Sequence, residues 1–360
     1  MKYYSLKNIL SRDALYNVIF GERSNGKTYS VLKYGIENFA KTGEQLAIIR
    51  RWSEDFVGKR GQQMFDALVE KDEIKKATNG EWTGVYYYSS RWFLCKYGED
   101  GVRIVDQKPF AYGFSITSQE HDKSTSYPKI TTVLFDEFIT RDGYLPDEFV
   151  LFCNTLSTII RERTDVKIFM LGNTVNKYCP YFAEMGLKHV REMKVGDIDV
   201  YSYGSTGLKV AVEYTEPNAK GKPSDVYFAF DNPKLNMITG GAWEISVYPH
   251  CPEKFRPKDI IFTYFIEFDG DLLQCEIVRV RDLMFTFIHR KTTPLKDPDH
   301  DIIYTTDYSP RYNYRRKLTK PISNFERKIA WFFASDKVFY ADNEVGEIVR
   351  NYLLWCGKKV

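Results

Sequence analysis

The chain has 360 residues, long for one domain and suited to two or three. Apolar residues make up 43% and aromatics 16%, enough to build real cores, while a formal net charge of +3 excludes a polycation that attracts nucleic acid by summed charge alone. The six cysteines form no C-x-x-C pair and the five histidines no H-E-x-x-H, which excludes a sequence-evident zinc framework; reduced thiols are expected, and no apolar run approaches the ~20 residues of a membrane helix.

Tyr16 to Phe20 is a β-branched and aromatic run, read as a buried strand. Gly21 to Gly26 is a loop, and Lys27 to about Lys41 a helix with Val31, Leu32, Ile36 and Phe39 on one face, stopped by Gly43. Leu46 to Ile49 is the next strand. Glu54 to Lys76 reads as helical and polar. Strands follow at Tyr86–Lys96, Arg103–Ile116 and Thr131–Phe135, then a helix at Phe149–Ile160 and a strand at Val166–Leu171. This alternation predicts an α/β fold with a doubly wound, mainly parallel sheet.

After about residue 185 the helical periodicity fades. Glu216 to Ser224 holds two prolines and a glycine and is the best linker. Ile260–Phe268 and Leu272–Val280 flank Asp269-Gly270-Asp271, which predicts a β-hairpin. Strands at Met284–His289 and Ile302–Thr306 and helices at Ile322–Phe333 and Asn343–Trp355 complete the pattern. The expected division is a first domain over 1–185, a linker region over 186–224 and a smaller α+β domain over 225–360.

Gly21-Glu22-Arg23-Ser24-Asn25-Gly26-Lys27-Thr28 matches G-x-x-x-x-G-K-[ST] at every fixed position, between a predicted strand and a predicted helix. The glycines let backbone N–H groups surround a phosphate, Lys27 neutralises its oxygens, and the Thr28 hydroxyl holds Mg²⁺. All eight residues are therefore expected at the nucleotide. The strand Thr131–Phe135 ends in Asp136-Glu137; Asp136 suits the metal and Glu137 the attacking water. An adjacent Glu favours ATPases of the additional-strand class over Ras-like GTPases. Asn173, at the tip of the strand Lys167–Leu171, is the candidate γ-phosphate sensor. Arg161, in Ile159-Ile160-Arg161-Glu162-Arg163, is a candidate finger for a neighbour's γ-phosphate, and Arg50-Arg51 leaves the choice between site and surface open.

The segments 21–52 (GERSNGKTYSVLKYGIENFAKTGEQLAIIRRW), 126–139 (SYPKITTVLFDEFI) and 158–175 (TIIRERTDVKIFMLGNTV) resemble the phi-29-like phage DNA-packaging ATPases. The resemblance is dense from about residue 5 to 185. It implies a homo-oligomeric ring, usually a pentamer, docked on the portal of a prohead through a packaging RNA. ATP hydrolysis there drives double-stranded DNA into the prohead, in the cytoplasm of the infected bacterium, by a protein absent from the mature virion. By matching motif it implies that Lys27, Thr28, Asp136 and Glu137 serve ATP and Mg²⁺, that Arg161 acts in trans, and that Lys123 has a similar trans role, although the sequence departs from the family just before Lys123. It also implies that the second domain is a vestigial RNase H-like nuclease.

Such a motor needs groups that touch phosphate without reading bases. Lys59, Arg60 and Arg141 are candidates for pore contacts. The most basic segment, with Arg311, Arg315, Arg316 and Lys317 among tyrosines, suits DNA or the packaging RNA. Two rival readings remain: a terminase-like motor whose second domain still cuts DNA, for which Asp269 and Asp271 in the hairpin turn and Asp299, Asp301 and Asp307 near His300 form no clear set of carboxylates, and a nucleotide-gated assembly module without translocation.

Overall fold

The computed structural model describes residues 3–117, 126–141, 143–174, 176–204, 207–216 and 247–357. The chain divides into two compact units, Met1–Trp243 and Glu244–Val360.

Among the described residues the first unit has nine strands: β1 (Tyr16–Gly21), β2 (Gln45–Arg50), β3 (Gly84–Tyr88), β4 (Arg91–Tyr97), β5 (Arg103–Ser115), β6 (Ile130–Asp136), β7 (Lys167–Asn173), β8 (Ile198–Tyr203) and β9 (Leu208–Tyr214). Their order is β3-β4-β5-β2-β6-β7-β1-β9-β8. The block from β5 to β9 is parallel. The flanking β3, β4 and β8 are antiparallel. One strand, β7, stands between the loop-bearing β1 and the acidic β6, as the additional-strand class requires.

Helices α1 (Lys27–Thr42) and α2 (Glu148–Ile160) cover opposite faces. Successive strand residues point to opposite sides. In β6, Leu134 joins the core of Val31, Leu32 and Ile36 from α1, whereas Val133 and Phe135 join that of Phe152, Leu156 and Ile159 from α2. Burial on both faces explains the nearly continuous apolar runs of the central strands. Gly43 closes α1 with φ 75°, and its N–H meets Phe39 O at 2.8 Å.

Three expectations change. Tyr86–Lys96 is a hairpin, because Ser89 and Ser90 take φ of 47° and 56° and turn the chain. Glu54–Lys76 is a 3-10 turn, Ser53–Phe56, and three short helices, Lys59–Gln63, Asp66–Glu70 and Glu73–Ala77, broken where Gly58 and Asp72 take φ of 58° and 56°. The boundary at 185 falls inside the first unit. β1 pairs on its second edge with β9, Val18 opposite Val212, so residues 198–214 complete the sheet instead of forming a linker. Residues 217–224 of the proposed linker lie outside the described residues.

Among the described residues the second unit has six strands: β10 (Ile260–Phe268), β11 (Asp271–Val280), β12 (Leu283–Arg290), β13 (Ile303–Thr305), β14 (Tyr314–Arg315) and β15 (Val338–Tyr340), in the order β14-β13-β10-β11-β12-β15. The predicted hairpin turns at Asp269-Gly270, with φ of 54° and 84°. β10 to β12 form an antiparallel meander, and β13 and β14 run parallel beside β10. Counted within the unit, strands 3-2-1-4-5 with the second antiparallel are the arrangement of an RNase H-like sheet, with β15 added outside. Ser323 caps helix α3 (Asn324–Ala334) by accepting the Glu326 N–H at 3.1 Å. Helix α4 (Asn343–Gly357) buries Val345, Ile348, Val349 and Tyr352. Among the described residues no helix is long and apolar enough to cross a membrane.

Candidate nucleotide site

β1 delivers the chain into the loop, and two glycines make the bend possible. Gly21 has φ 152°, and a Cβ there would lie 2.1 Å from Thr215 Oγ1; Gly26 has φ 89°, and a Cβ would lie 2.4 Å from the Tyr3 ring. Asn25 holds the loop shut: its amide donates to Thr215 Oγ1 at 2.9 Å and its Oδ1 accepts the Lys27 N–H at 3.3 Å. The Tyr4 N–H donates to Asn25 O at 3.0 Å. The N-terminal segment and the end of β9 thus brace the loop, and neither was singled out from sequence. Lys27 and Thr28 open α1, whose N-terminal dipole favours an anion over the loop.

Lys27 Nζ donates to Glu22 O at 2.6 Å and lies 3.5 Å from Asn173 Oδ1. Burial lowers its pKa to about 8, against the pull of Asp136 and Glu22. The Thr28 hydroxyl donates to Asp136 Oδ1 at 3.1 Å. These groups converge on a cleft of about 400 Å³ whose walls include Arg23, Ser24, Asn25, Gly26, Glu137 and Asn173. Of the eight loop residues, Gly21 and Glu22 shape the loop without lining this cleft. A hydroxyl and a carboxylate oxygen side by side are hard donors that fit Mg²⁺.

Asp136 is buried at the end of β6, and burial raises its pKa against the opposing field of Arg50. Arg50 ends β2 and pairs with both acids, Nη2 to Asp136 Oδ2 and Nη1 to Glu137 Oε2, each at 2.8 Å. Glu137 takes φ 61°, and its side chain is largely exposed. Arg51 points the other way. It is buried, forms a forked pair with Glu148 with a shortest contact of 2.8 Å, and donates to the carbonyls of Glu137 and Phe138. The two arginines part at the end of β2: Arg50, its last residue, faces the cleft, and Arg51, in the bend just past it, is buried.

Arg161 follows α2 at the edge of the sheet opposite the cleft. Lys167 opens β7 beside Thr132, whereas Asp136 lies beside Leu171. Four residues of strand separate the two levels, about 13 Å. Arg161 is not among the residues that line its own subunit's cleft. It is exposed and takes φ 50°. Lys123 lies outside the described residues.

The proposed nucleic-acid contacts are dispersed. Lys59 and Arg60 open the short helix after the 3-10 turn instead of lying in a loop; both are exposed, with Arg60 4.0 Å from Asp55. Arg141 is half-buried, in the segment after β6. In the second unit Arg315 binds Glu326 at 2.9 Å. Arg316 donates to Thr306 O at 3.0 Å and stacks 3.7 Å over Tyr308, with Trp355 at 5.0 Å. Lys317 Nζ lies 5.6 Å from the Trp355 ring. Arg311 is exposed, 3.7 Å from Asp299. Asp271 is paired with Arg290, and among the described residues no group of three His, Cys, Asp or Glu side chains could hold a metal ion.

The family model of the podovirus DNA encapsidation protein (Gp16) matches residues 1–88 and 95–205. The chain belongs to that family. The DNA packaging protein of Bacillus phage phi29 is 27% identical over 339 residues, covering 90% of this chain and 92% of the phage protein. That of Bacillus phage B103 is 31% identical over 183 residues, half of each chain. The solved phi-28 gp11 DNA packaging motor matches with a TM-score of 0.54 at 15% identity, over 99% of each chain, a likeness of fold.

Proposed function

We propose that this family member is an ATP-hydrolysing motor that drives double-stranded DNA into a phage prohead. The observation that carries the reading is the Thr28–Asp136 contact at 3.1 Å, which unites the loop hydroxyl and the strand-end carboxylate beside Lys27 and Glu137. The family and the packaging proteins of phi29 and B103 support the DNA-moving part.

In this reading the loop amides and Lys27 hold the β- and γ-phosphates. Thr28 and Asp136 hold Mg²⁺, which when bound neutralises phosphate charge. Asn173 acts as the γ-phosphate sensor, a role supported by its place in the cleft wall 3.5 Å from Lys27 Nζ. Glu137 takes a proton from the attacking water, for which it must leave Arg50. Arg161 serves a neighbour's cleft, which calls for a homo-oligomeric ring, proposed as a pentamer; Lys123 is the second trans group that the resemblance implies. The ring would sit on the portal of the prohead with a packaging RNA, in the cytoplasm of the infected host. Lys59, Arg60, Arg141, Arg311 and Lys317 are its proposed phosphate contacts. Arg315 and Arg316, in the same basic segment as Arg311 and Lys317, are tied to Glu326 and Thr306.

The test is phosphate release from ATP and DNA uptake with matched proheads, with and without RNA. Turnover lost in Lys27→Ala together with DNA uptake supports the reading. No turnover by the unaltered chain, with DNA and proheads present, overturns it.

A further inference from the structure

We propose that Arg51, held by Glu148, is a positioning residue for Glu137. The inference rests on the hydrolytic reading above. Arg51 is buried just past β2, against the turn that follows β6. Its Nη1 donates to Glu137 O at 3.2 Å and its Nη2 to Phe138 O at 3.0 Å. Both bonds fall on the backbone where Glu137 takes φ 61°, a conformation that non-glycine residues rarely adopt. From the other side the Phe138 N–H donates to Leu171 O at 3.1 Å. The peptide that orients the Glu137 side chain is thus fixed from both ends.

Arg51 is itself oriented. Its Nε bridges both oxygens of Glu148 at 3.1 and 3.0 Å, and its Nη2 adds a third bond at 2.8 Å. Glu148 also accepts the Tyr181 hydroxyl at 2.9 Å and the Leu145 N–H at 2.7 Å, and the Tyr144 ring packs 5.4 Å from the Arg51 guanidinium carbon. A planar fork is needed to reach one carboxylate and two carbonyls at once, and a lysine ammonium cannot do so. The N–H donors that Glu148 leaves over thus fall on the two carbonyls of the turn and tie it to the buried ion pair.

The test uses the full chain with Arg51→Lys, the paired Arg51→Met/Glu148→Leu, and Tyr181→Phe, which leaves both carbonyl bonds in place. The paired change guards against misfolding, since apolar replacement of a buried ion pair is often tolerated. A displaced base lowers kcat by about 10- to 100-fold. The proposal expects that loss in Arg51→Lys and in the paired variant, with nucleotide affinity within about twofold of the unaltered chain, and little change in Tyr181→Phe. Deuterium exchange provides a readout independent of turnover: the peptide around 136–140 should exchange faster in both arginine variants, with the 21–28 peptide unchanged. Unaltered kcat in the arginine variants, or equal exchange at 136–140, overturns the proposal. Lack of turnover in the unaltered chain overturns the hydrolytic reading instead, and the exchange result still decides whether Arg51 holds the turn.

Discussion

Arg50 Nη1 lies 2.8 Å from Glu137 Oε2, so the candidate base is engaged by a cation of its own subunit. The same guanidinium holds Asp136 at 2.8 Å. In the proposed reading Mg²⁺ and Arg50 serve one buried carboxylate. Arg50→Ala leaves Asp136 without its main partner, at a cost of about 1–3 kcal/mol to the free protein. Bound Mg-nucleotide supplies a new counter-charge, so the rise in melting temperature on adding it should be larger in Arg50→Ala than in the unaltered chain. Scanning calorimetry with and without a non-hydrolysable analogue measures both. Equal rises would show that the cation does not take Arg50's place.

Glu137 and Lys27 line one cleft but predict different losses. Glu137→Gln keeps the shape and removes the basicity, so nucleotide should bind normally while hydrolysis falls at least ~100-fold. Lys27→Ala removes the buried ammonium that faces the phosphates, so binding itself should fail. Equilibrium binding of a fluorescent ATP analogue beside single-turnover hydrolysis separates the two. Normal turnover in Glu137→Gln would remove Glu137 from the reaction.

The pH dependence follows from Lys27. Burial lowers its pKa to about 8 in the free protein, so the ammonium is present below that pH and lost above it. Bound phosphates favour the charged form and raise the pKa in the complex. On the alkaline side kcat/KM should therefore fall above about pH 8, approaching tenfold per unit, while kcat stays flatter, since kcat/KM reports the free enzyme. Binding should take up protons near pH 9 and not near pH 6.5, which calorimetry in buffers of different ionisation heat resolves at about those pH values. A kcat/KM that stays level through about pH 9.5 would contradict the lowered pKa.

The nucleotide loop was legible because its constraints are local. Gly21 and Gly26 carry positive φ, Lys27 starts the helix, and Asp136 ends a strand, so neighbouring residues encode each feature. The partners of the loop were not legible. Thr215 reaches Asn25 across 190 positions of sequence, and β9 joins β1 by a parallel pairing that no turn signals. Glu148, just ahead of the predicted helix, was not singled out, although it is buried in an ion pair with Arg51. The different fates of Arg50 and Arg51 were not there to be read, since β2 ends between them and strand alternation does not reach Arg51. The basic run 311–317 misled in part because charge in sequence does not reveal pairing: Arg315 is tied to Glu326, which lies 11 positions further on.

Arg161 provides the test of the ring. It lies at the far end of the sheet from its own cleft, so any role at a γ-phosphate is played in a neighbouring copy. Arg161→Ala should bind nucleotide normally and lose hydrolysis by roughly 10³-fold or more, the scale of a missing arginine finger. Glu137→Gln should be equally inactive alone. Mixed before assembly, the two complement each other: where a Glu137→Gln copy presents its intact Arg161 to the cleft of an Arg161→Ala copy, base and finger meet in one site. ATPase activity should then reappear and depend on the mixing ratio. If mixed rings form, as shown by differently labelled subunits in one assembly, and no activity returns at any ratio, Arg161 does not serve a neighbour's site.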